Sequence, residues 1–557
     1  MAAAELPLFY YLHNFHRVLR WVQQYSADLL EAEQVACGHV FWGLSGPAQA
    51  LLVRLVMRKG SLFRVSKLRY PEIADICAAT QELAQAGLVC LAPPLDLDGV
   101  FHLHTLAQLR AMFAPLPAGA RKHECRAQVA LRHGDQLRPC ADWPGLAAEQ
   151  SDVLRLSESV TAWAQRLQLL FFGNQYQDWS EFVLSDLGLY RYETLMLDAA
   201  SRAFRHLDDV RLYETLSGLR EAPDVPDRAQ WQARLQAVCA IVTDSDWLQR
   251  RRDKTLFSLG QEAERQAWWE LADQAYCRST WPGARQRRVR VLERQQNGPD
   301  AWGLFCQAWE RPESEAEVQK LARMLPRLRK LAPKARWPEQ PVSLERAQAR
   351  TQLSRLVLPD DGQRVEWQVM AHWHTELAPV QYVENTLLPG LLGLLCWEAI
   401  FAPLPGAFFH PYQSSPADWS SPDFVARRRP LFDQALALLD GPGYKECIRA
   451  RWRDKQGMQC PLLFWPALGE NTLELALRCI PPQHLHAIFR RVLQDWRDNR
   501  AGLPDLIRFL PAQNWYELIE VKGPGDRLQD NQRRWLSYFE QQGIPARVCH
   551  VSREPLA

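Results

Sequence analysis

The sequence predicts a multidomain, mainly α-helical protein that ends in an α/β domain. Three observations carry that expectation. A helix–strand–helix–hairpin pattern of winged-helix type lies near the N-terminus. Helical spacing with almost no strand signal runs from about 150 to 370. After about 500, two strand signals, a helix and a last strand follow one another. A length of 557 residues fits three or four domains, and a 47% hydrophobic content is enough for several buried cores. Twenty-two tryptophans suggest many large helix-packing anchors.

In chain order, residues 8–35 read as one amphipathic helix or two. Ser45 and Pro47 begin the helix SGPAQALLVRLVMRKG, which Gly60 stops. SLFRVSKLRY alternates like a short strand. PEIADICAATQELAQAG is a second helix, with Pro71 at its start and Gly87 after its end. LVCL and VFHLH read as two strands around a Pro/Asp/Gly turn. Arg54, Arg58, Lys59, Arg64, Lys67 and Arg69 cluster there, as on a winged helix that meets DNA phosphates. A solvated basic face is the simpler alternative. HTLAQLRAMF and KHECRAQVALR are compatible with a small helix-extended-helix module. These elements make up a first region, 1–150.

The second region, 151–370, reads as a helical repeat. Leu259-Gly260, Ala272, Tyr276 and Pro282 nearly reproduce the tetratricopeptide spacing, with the proline two residues early. RQRRVRVLERQ and DAWGLFCQAWE resemble an imperfect second copy. A TPR-like solenoid is expected, with a generic helical bundle as the alternative. Basic runs punctuate it: Arg250, Arg251, Arg252 and Lys254; Arg285, Arg287, Arg288 and Arg290; Arg327, Arg329, Lys330 and Lys334. Singly these are solvated helix faces; together they could line a groove for a polyanion.

The third region, 371–557, carries the chemistry. A buried helix, 384–401, leads into a Pro-rich loop, and helices cover roughly 430–455 and 484–500. Pro504-Asp505 is followed, after fourteen intervening residues, by Glu520-Val521-Lys522. Strand side chains two apart share a face, so Glu520 and Lys522 point the same way as Tyr516 and Leu518. Asp505 begins the partner strand of a hairpin, where its carboxylate can converge on Glu520. Two such carboxylates repel unless a divalent cation neutralises them, and hard oxygen ligands favour magnesium or manganese. Lys522 would orient or help deprotonate water, or bind developing charge. It is one of ten lysines among 66 basic residues, and the last one, followed by arginines only. On the next helix Gln532 shares the apolar stripe of Leu528, Trp535, Leu536 and Phe539, either aimed at the site or as a satisfied core amide. His372-Trp373-His374 with Glu376 has no third ligand at zinc spacing.

At these residues the chain resembles the VRR-NUC branch of the PD-(D/E)XK nucleases: Pro504-Asp505, Glu520-Val521-Lys522 and the Gln532-Arg533-Arg534-Trp535 helix. VENTLLPGLLGLLCWEAIF, with Glu384 opening an apolar helix, resembles the Fanconi-associated nuclease family more specifically. So does the succession of winged helix, SAP-like module, helical repeats and VRR-NUC. The resemblance implies a structure-specific DNA nuclease of a bacterial member, cutting branched and 5′-flap DNA, with 5′→3′ exonuclease activity and a role in interstrand crosslink repair. It implies catalytic residues Asp505, Glu520, Lys522 and Gln532. It implies a Mg2+ or Mn2+ site of Glu384, Asp505, Glu520 and Val521. DNA would be held by Arg54, Arg58, Lys59, Arg64, Lys67, Arg285, Arg287 and Arg288. A Holliday-junction resolvase and a non-catalytic helical-repeat scaffold are the alternatives.

The remaining features set bounds. A formal net charge of +2 excludes a histone-like or polybasic-tail protein, though not a local basic groove. Thirteen cysteines without a C-x-x-C pair exclude a disulfide framework or a zinc ribbon. No Cys/His pattern of a ubiquitin-binding zinc finger is present, so recruitment by ubiquitin is not expected. The N-terminus has no signal-peptide pattern. The apolar stretch Leu387–Phe409 contains Glu398, Pro389, Pro403 and Pro405, which fits a buried helix and loop rather than a membrane span. A monomer in the cytoplasm, at the nucleoid, without membrane contact, is the expectation.

Overall fold

The structure is a computed structural model that describes residues 7–117, 119–146, 152–177, 179, 190–221, 227–331, 352–360 and 362–553. The chain divides into two compact units. The first comprises 1–191, 196–207 and 409–412; the second comprises 192–195, 208–408 and 413–557.

The first unit begins with α1 (Tyr10–Tyr25), α2 (Ala32–Gly43) and α3 (Gly46–Val56). The Ser45 side chain accepts a bond from Ala48 N–H and caps α3, with Pro47 in the first turn. Strand β1 is short, Leu62–Arg64. Helix α4 (Ile76–Gln85) starts at an Asp75 cap that accepts from Ala78 N–H, five residues beyond the Pro71 start expected. A carboxylate facing the free N–H groups of the first turn is the stronger start signal. Gly87, after α4, has φ +72 and allows the turn into β2 (Val89–Leu91).

VFHLH is not a strand. Its first four residues lie in helix α5 (Leu97–Leu103), with His104 as the C-cap; Asp96 caps the start, its carboxylate accepting from Gly99 N–H. Leu97, Val100 and Leu103 fall at helical spacing and are buried. Helices α6 (Leu106–Met112) and α7 (Lys122–His133) complete the small module. The strand that closes the wing comes from far along the chain. β3 (Val153–Leu156) pairs antiparallel with both β1 and β2, in the order β1-β3-β2. It corrects the expectation of almost no strand after 150, and the first unit runs beyond the boundary drawn at 150. Helix α8 (Glu158–Phe172) packs on α1 and α2, and Gly173 (φ +70) ends it against the Phe409 ring, where a Cβ would clash.

The second unit opens with helices in sequence: α9 (Leu207–Arg220), α10 (Arg228–Ala240), α11 (Asp246–Arg265), α12 (Trp269–Tyr276), α13 (Ala284–Arg294), α14 (Gly298–Glu310) and α15 (Glu315–Leu331). From α10 onward each packs on the next. Gly260 explains its place in the repeat-like spacing: a Cβ there would sit 2.5 Å from the Tyr276 ring, so α11 and α12 approach closely only with glycine. Lys334 lies outside the described residues.

The second sheet has five strands in the order β4-β8-β7-β6-β5: β4 (Gln352–Leu358), β5 (Val380–Tyr382), β6 (Leu506–Leu510), β7 (Trp515–Lys522) and β8 (Ala546–Arg553). β8 is parallel to β4 and β7; β6 is antiparallel to β5 and β7. Strand β4 and helix α16 (Val365–Trp373) belong to this domain although they precede the boundary drawn at 371. The alternation of β4 was hidden because it is an edge strand with Leu353 and Val357 exposed. Between β5 and β6 the chain leaves for a helical insertion holding α17 (Leu387–Leu395), α18 (Arg429–Ala437), α19 (Gly443–Asp454), α20 (Glu470–Cys479) and α21 (Pro482–Gln494). The insertion is closed at its base where Val383 N–H donates to Asp505 O at 2.8 Å. Helix α22 (Asp530–Gln541) joins β7 to β8. No helix among the described residues is long and apolar enough to cross a membrane.

Candidate nuclease site

The β6–β7 hairpin builds the site. Leu506 pairs with Ile519, so Asp505, one residue earlier, falls opposite Glu520. Asp505 is held there from both sides. Its Oδ2 accepts a 2.8 Å bond from Val521 N–H, and Gly502 (φ +90) lets the preceding Gly-Leu-Pro run pass α22, where a Cβ would lie 2.7 Å from Asn531. Glu520 Oε1 accepts from Lys522 Nζ at 2.8 Å and from Gln532 Nε2 at 2.6 Å. Gln532 therefore points at the site, and its own oxygen accepts from Gln529 N–H.

All three charged groups are buried: Asp505 is 7% exposed, Glu520 1% and Lys522 9%. Burial pushes the Asp505 carboxyl well above the usual range; the Val521 N–H opposes this and the charge of Glu384 adds to it. Glu520 is pushed up further, first by burial, then by the charge of Asp505, with Lys522 opposing. One ammonium cannot balance this acid density, and that deficit fits a divalent cation on hard oxygens. Asp505, Glu520 and the Val521 carbonyl would hold it.

Glu384 lies before α17 rather than opening it; Thr386 is the N-cap residue. The Tyr382 hydroxyl donates to Glu384 Oε2. Among the described residues no three His, Cys, Asp or Glu side chains close on a single point, so Glu384 reaches Asp505 here through charge alone. Glu366, on the first turn of α16, was missed by the sequence reading; its charge also bears on Asp505. Its only sequence signal is a lone Val-Glu at a helix start. His374 Nδ1 meets the Val380 backbone at 3.2 Å, a structural contact.

The candidate DNA-binding residues divide. Arg54 donates to Glu72 at 2.6 Å and lies 3.7 Å from the Tyr11 ring centre, and Arg64 donates to Asp152 at 2.8 Å. Arg58, Lys59 and Lys67 are exposed. Arg285 pairs with Glu317 at 2.6 Å, Arg287 with Glu264 at 3.1 Å and Arg288 with Asp273 at 2.7 Å. A different cationic group lies in the second unit. Lys254 Nζ is 5.4 Å and the Arg497 guanidinium 5.5 Å from the Trp281 ring centre. Burial lowers the Lys254 pKa, and Arg220, Arg251 and Arg497 lower it further. Burial and Arg497 act the same way on Arg500. Arg497 and Arg500 escaped the sequence reading because their cluster joins the turn after α21 to a helix far away in the chain.

A five-stranded mixed sheet with an acid pair and a lysine on its central hairpin is the fold and site of a PD-(D/E)XK nuclease. Comparisons agree. The VRR-NUC domain model matches 443–553, the FAN1 HTH domain model 9–90 and the Fanconi anemia-associated nuclease SAP domain model 94–143. The chain is 45% identical over 551 residues to the Fanconi-associated nuclease 1 homolog of Pseudomonas aeruginosa, covering 98% of this chain and 96% of that one. Human Fanconi-associated nuclease 1 is 24% identical over 644 residues, covering 97% of this chain and 62% of its own. The crystal structure of paFAN1 bound to 2nt 5′flap DNA with gap superposes with a TM-score of 0.86 at 43% identity, covering 100% of both chains. The chain belongs to the Fanconi-associated nuclease 1 family, and it is a DNA nuclease of the divalent-metal-dependent VRR-NUC class.

Proposed function

We propose that this nuclease cuts branched DNA at a 5′ flap, with 5′→3′ exonuclease activity, at the Asp505–Glu520–Lys522 centre, and that it acts as a monomer in interstrand crosslink repair. The observation that carries this reading is the under-compensated acid pair on a chain so similar to a protein held on 5′-flap DNA. Mg2+ or Mn2+ is the ion that the oxygen donors suit, with Glu384 completing the set when DNA is engaged. Such an ion supplies Lewis acidity at the phosphate oxygen and lowers the pKa of attacking water. Gln532 fixes the Glu520 carboxylate. Lys522 Nζ, held on the same oxygen, orients the water or stabilises charge developing on the phosphate.

DNA arms are held through phosphates, which carry no sequence information, so branch geometry is what is read. Lys254 and Arg500 suit a phosphate because the charged groups that act on them are cations, Arg497 among them, and Arg497 joins them in that cluster. Arg58, Lys59 and Lys67 suit a duplex arm. The test is cleavage of labelled flap, nicked, four-way and linear duplex DNA with magnesium or manganese. Preference for the flap is expected. Preference for the four-way junction would support a resolvase instead, and no cleavage of any substrate would leave a scaffold.

A further inference from the structure

Trp367 stands on the first turn of α16, 44% exposed, outside the apolar cluster of Val369, Val380, Leu506, Ile519 and Val521 that closes this side of the sheet. One face of its indole stacks on Tyr382, with centroids 5.8 Å apart and planes 19° from parallel. Tyr382 is the last residue of β5 and pairs with Leu506, the neighbour of Asp505; its hydroxyl donates to Glu384. The Arg364 guanidinium lies 5.7 Å from the same Tyr382 ring and 3.6 Å from Glu366 Oε2, with its side chain 62% exposed and open to a phosphate. A large aromatic surface, backed by a second ring and flanked by an exposed cation, therefore sits at the edge of the catalytic acids. Trp367 is not among the residues of that buried cluster or those packed against it.

An indole face has no hydrogen-bonding edge for reading base identity. It recognises another π-face, and in DNA a free base face occurs where stacking is interrupted, as at a flap junction, a nick or a strand end. We propose that Trp367 receives the unpaired base of the nucleotide adjoining the scissile phosphate, with Arg364 on that nucleotide's phosphate. The stack makes the cut depend on interrupted DNA independently of sequence. The inference rests on the nuclease reading above and goes beyond it by assigning a base-binding surface beside the acids.

The test compares Trp367→Phe, which keeps a π-face, with Trp367→Leu, which keeps bulk without one. Base–aromatic stacking predicts a roughly 10- to 100-fold loss of kcat/KM on flap DNA for Trp367→Leu. Trp367→Phe should stay within a few-fold of the native enzyme. A second readout uses 2-aminopurine placed beside the cut in flap DNA, bound by full-length Lys522→Ala protein that leaves the DNA intact. Its emission should be quenched with Trp or Phe at 367 and released with Leu. Equal kinetics and equal emission for Phe and Leu would overturn the proposal. If native protein neither binds nor cuts flap DNA, the nuclease reading fails; if it cuts normally and Leu is silent, only this inference does.

Discussion

Two buried charge groups in the second unit are built in opposite ways. Asp418 is enclosed by two guanidiniums: Arg427 at 2.5 Å, and Arg428 at 2.7 and 2.9 Å. Both Asp418 and Arg428 are essentially without solvent. The Asp505–Glu520 pair is also buried, yet a single ammonium is the only cation facing two carboxylates, beside one side-chain amide and one backbone N–H. Burying charge costs several kcal/mol per ion unless partners restore what water supplied. The Asp418 carboxylate meets that condition, with both oxygens bonded to guanidiniums of its own chain, and so reads as architecture. The acid pair does not, and so reads as a receptor for a cation.

The two groups should respond oppositely to mutation. Asp505→Ala, Glu520→Ala or Lys522→Ala should each reduce cleavage by at least ~1,000-fold, several kcal/mol of transition-state stabilisation. DNA affinity should change little. Quenched-flow cleavage alongside anisotropy binding checks this, and near-normal cleavage would remove that residue from the centre.

Asp418→Ala should do the reverse. It leaves the Arg428 guanidinium buried without its acid, for an expected stability loss of about 3–5 kcal/mol. The fraction still folded should cut DNA at the native rate. Urea unfolding with active-site titration separates the two quantities, and an unchanged midpoint would show that Asp418 is not structural.

The same contrast divides the cations. Lys254, Arg497 and Arg500 have cationic neighbours, whereas Arg285, Arg287 and Arg288 are matched to acids. Changing the first three to Ala should flatten the logarithmic salt dependence of flap binding by roughly two to three units, at ~0.9 per phosphate contact. Changing the second three should flatten it by less than about one unit. Equal slopes would erase the distinction. The smallest effect belongs to Glu384→Gln. With Tyr382 still donating to its side chain, the melting temperature should hold while the magnesium needed for half-maximal cleavage rises several-fold. A lower melting temperature with unchanged magnesium demand would assign Glu384 a structural role.

What could be read from the sequence follows the range of the interactions. Asp505, Glu520 and Lys522 were legible because strand periodicity and one hairpin bring them together. Ser45 and Gly87 were legible as local cap and turn signals. VFHLH was misread because its apolar spacing serves a strand or a helix equally, and the Asp96 cap decides it. The true wing partner, β3, could not be found locally, since pairing across some sixty residues leaves no periodic trace. The arginine runs were visible, but their acids were not. Glu317 and Glu264 lie on other turns and helices, so neutral and uncompensated runs look alike. The stacking of Trp367 on Tyr382 was hidden for the same reason.

The central claim is that the buried acid pair destabilises the protein until a cation occupies it. The direct measurement is the melting temperature of the native enzyme and of the Asp505→Asn, Glu520→Gln double variant, each without divalent metal and then with millimolar magnesium or manganese. The account predicts a metal-free double variant that melts higher than the native protein. It also predicts that metal raises the native midpoint and leaves the variant unmoved. A double variant that melts lower, together with a native midpoint indifferent to metal, would contradict it.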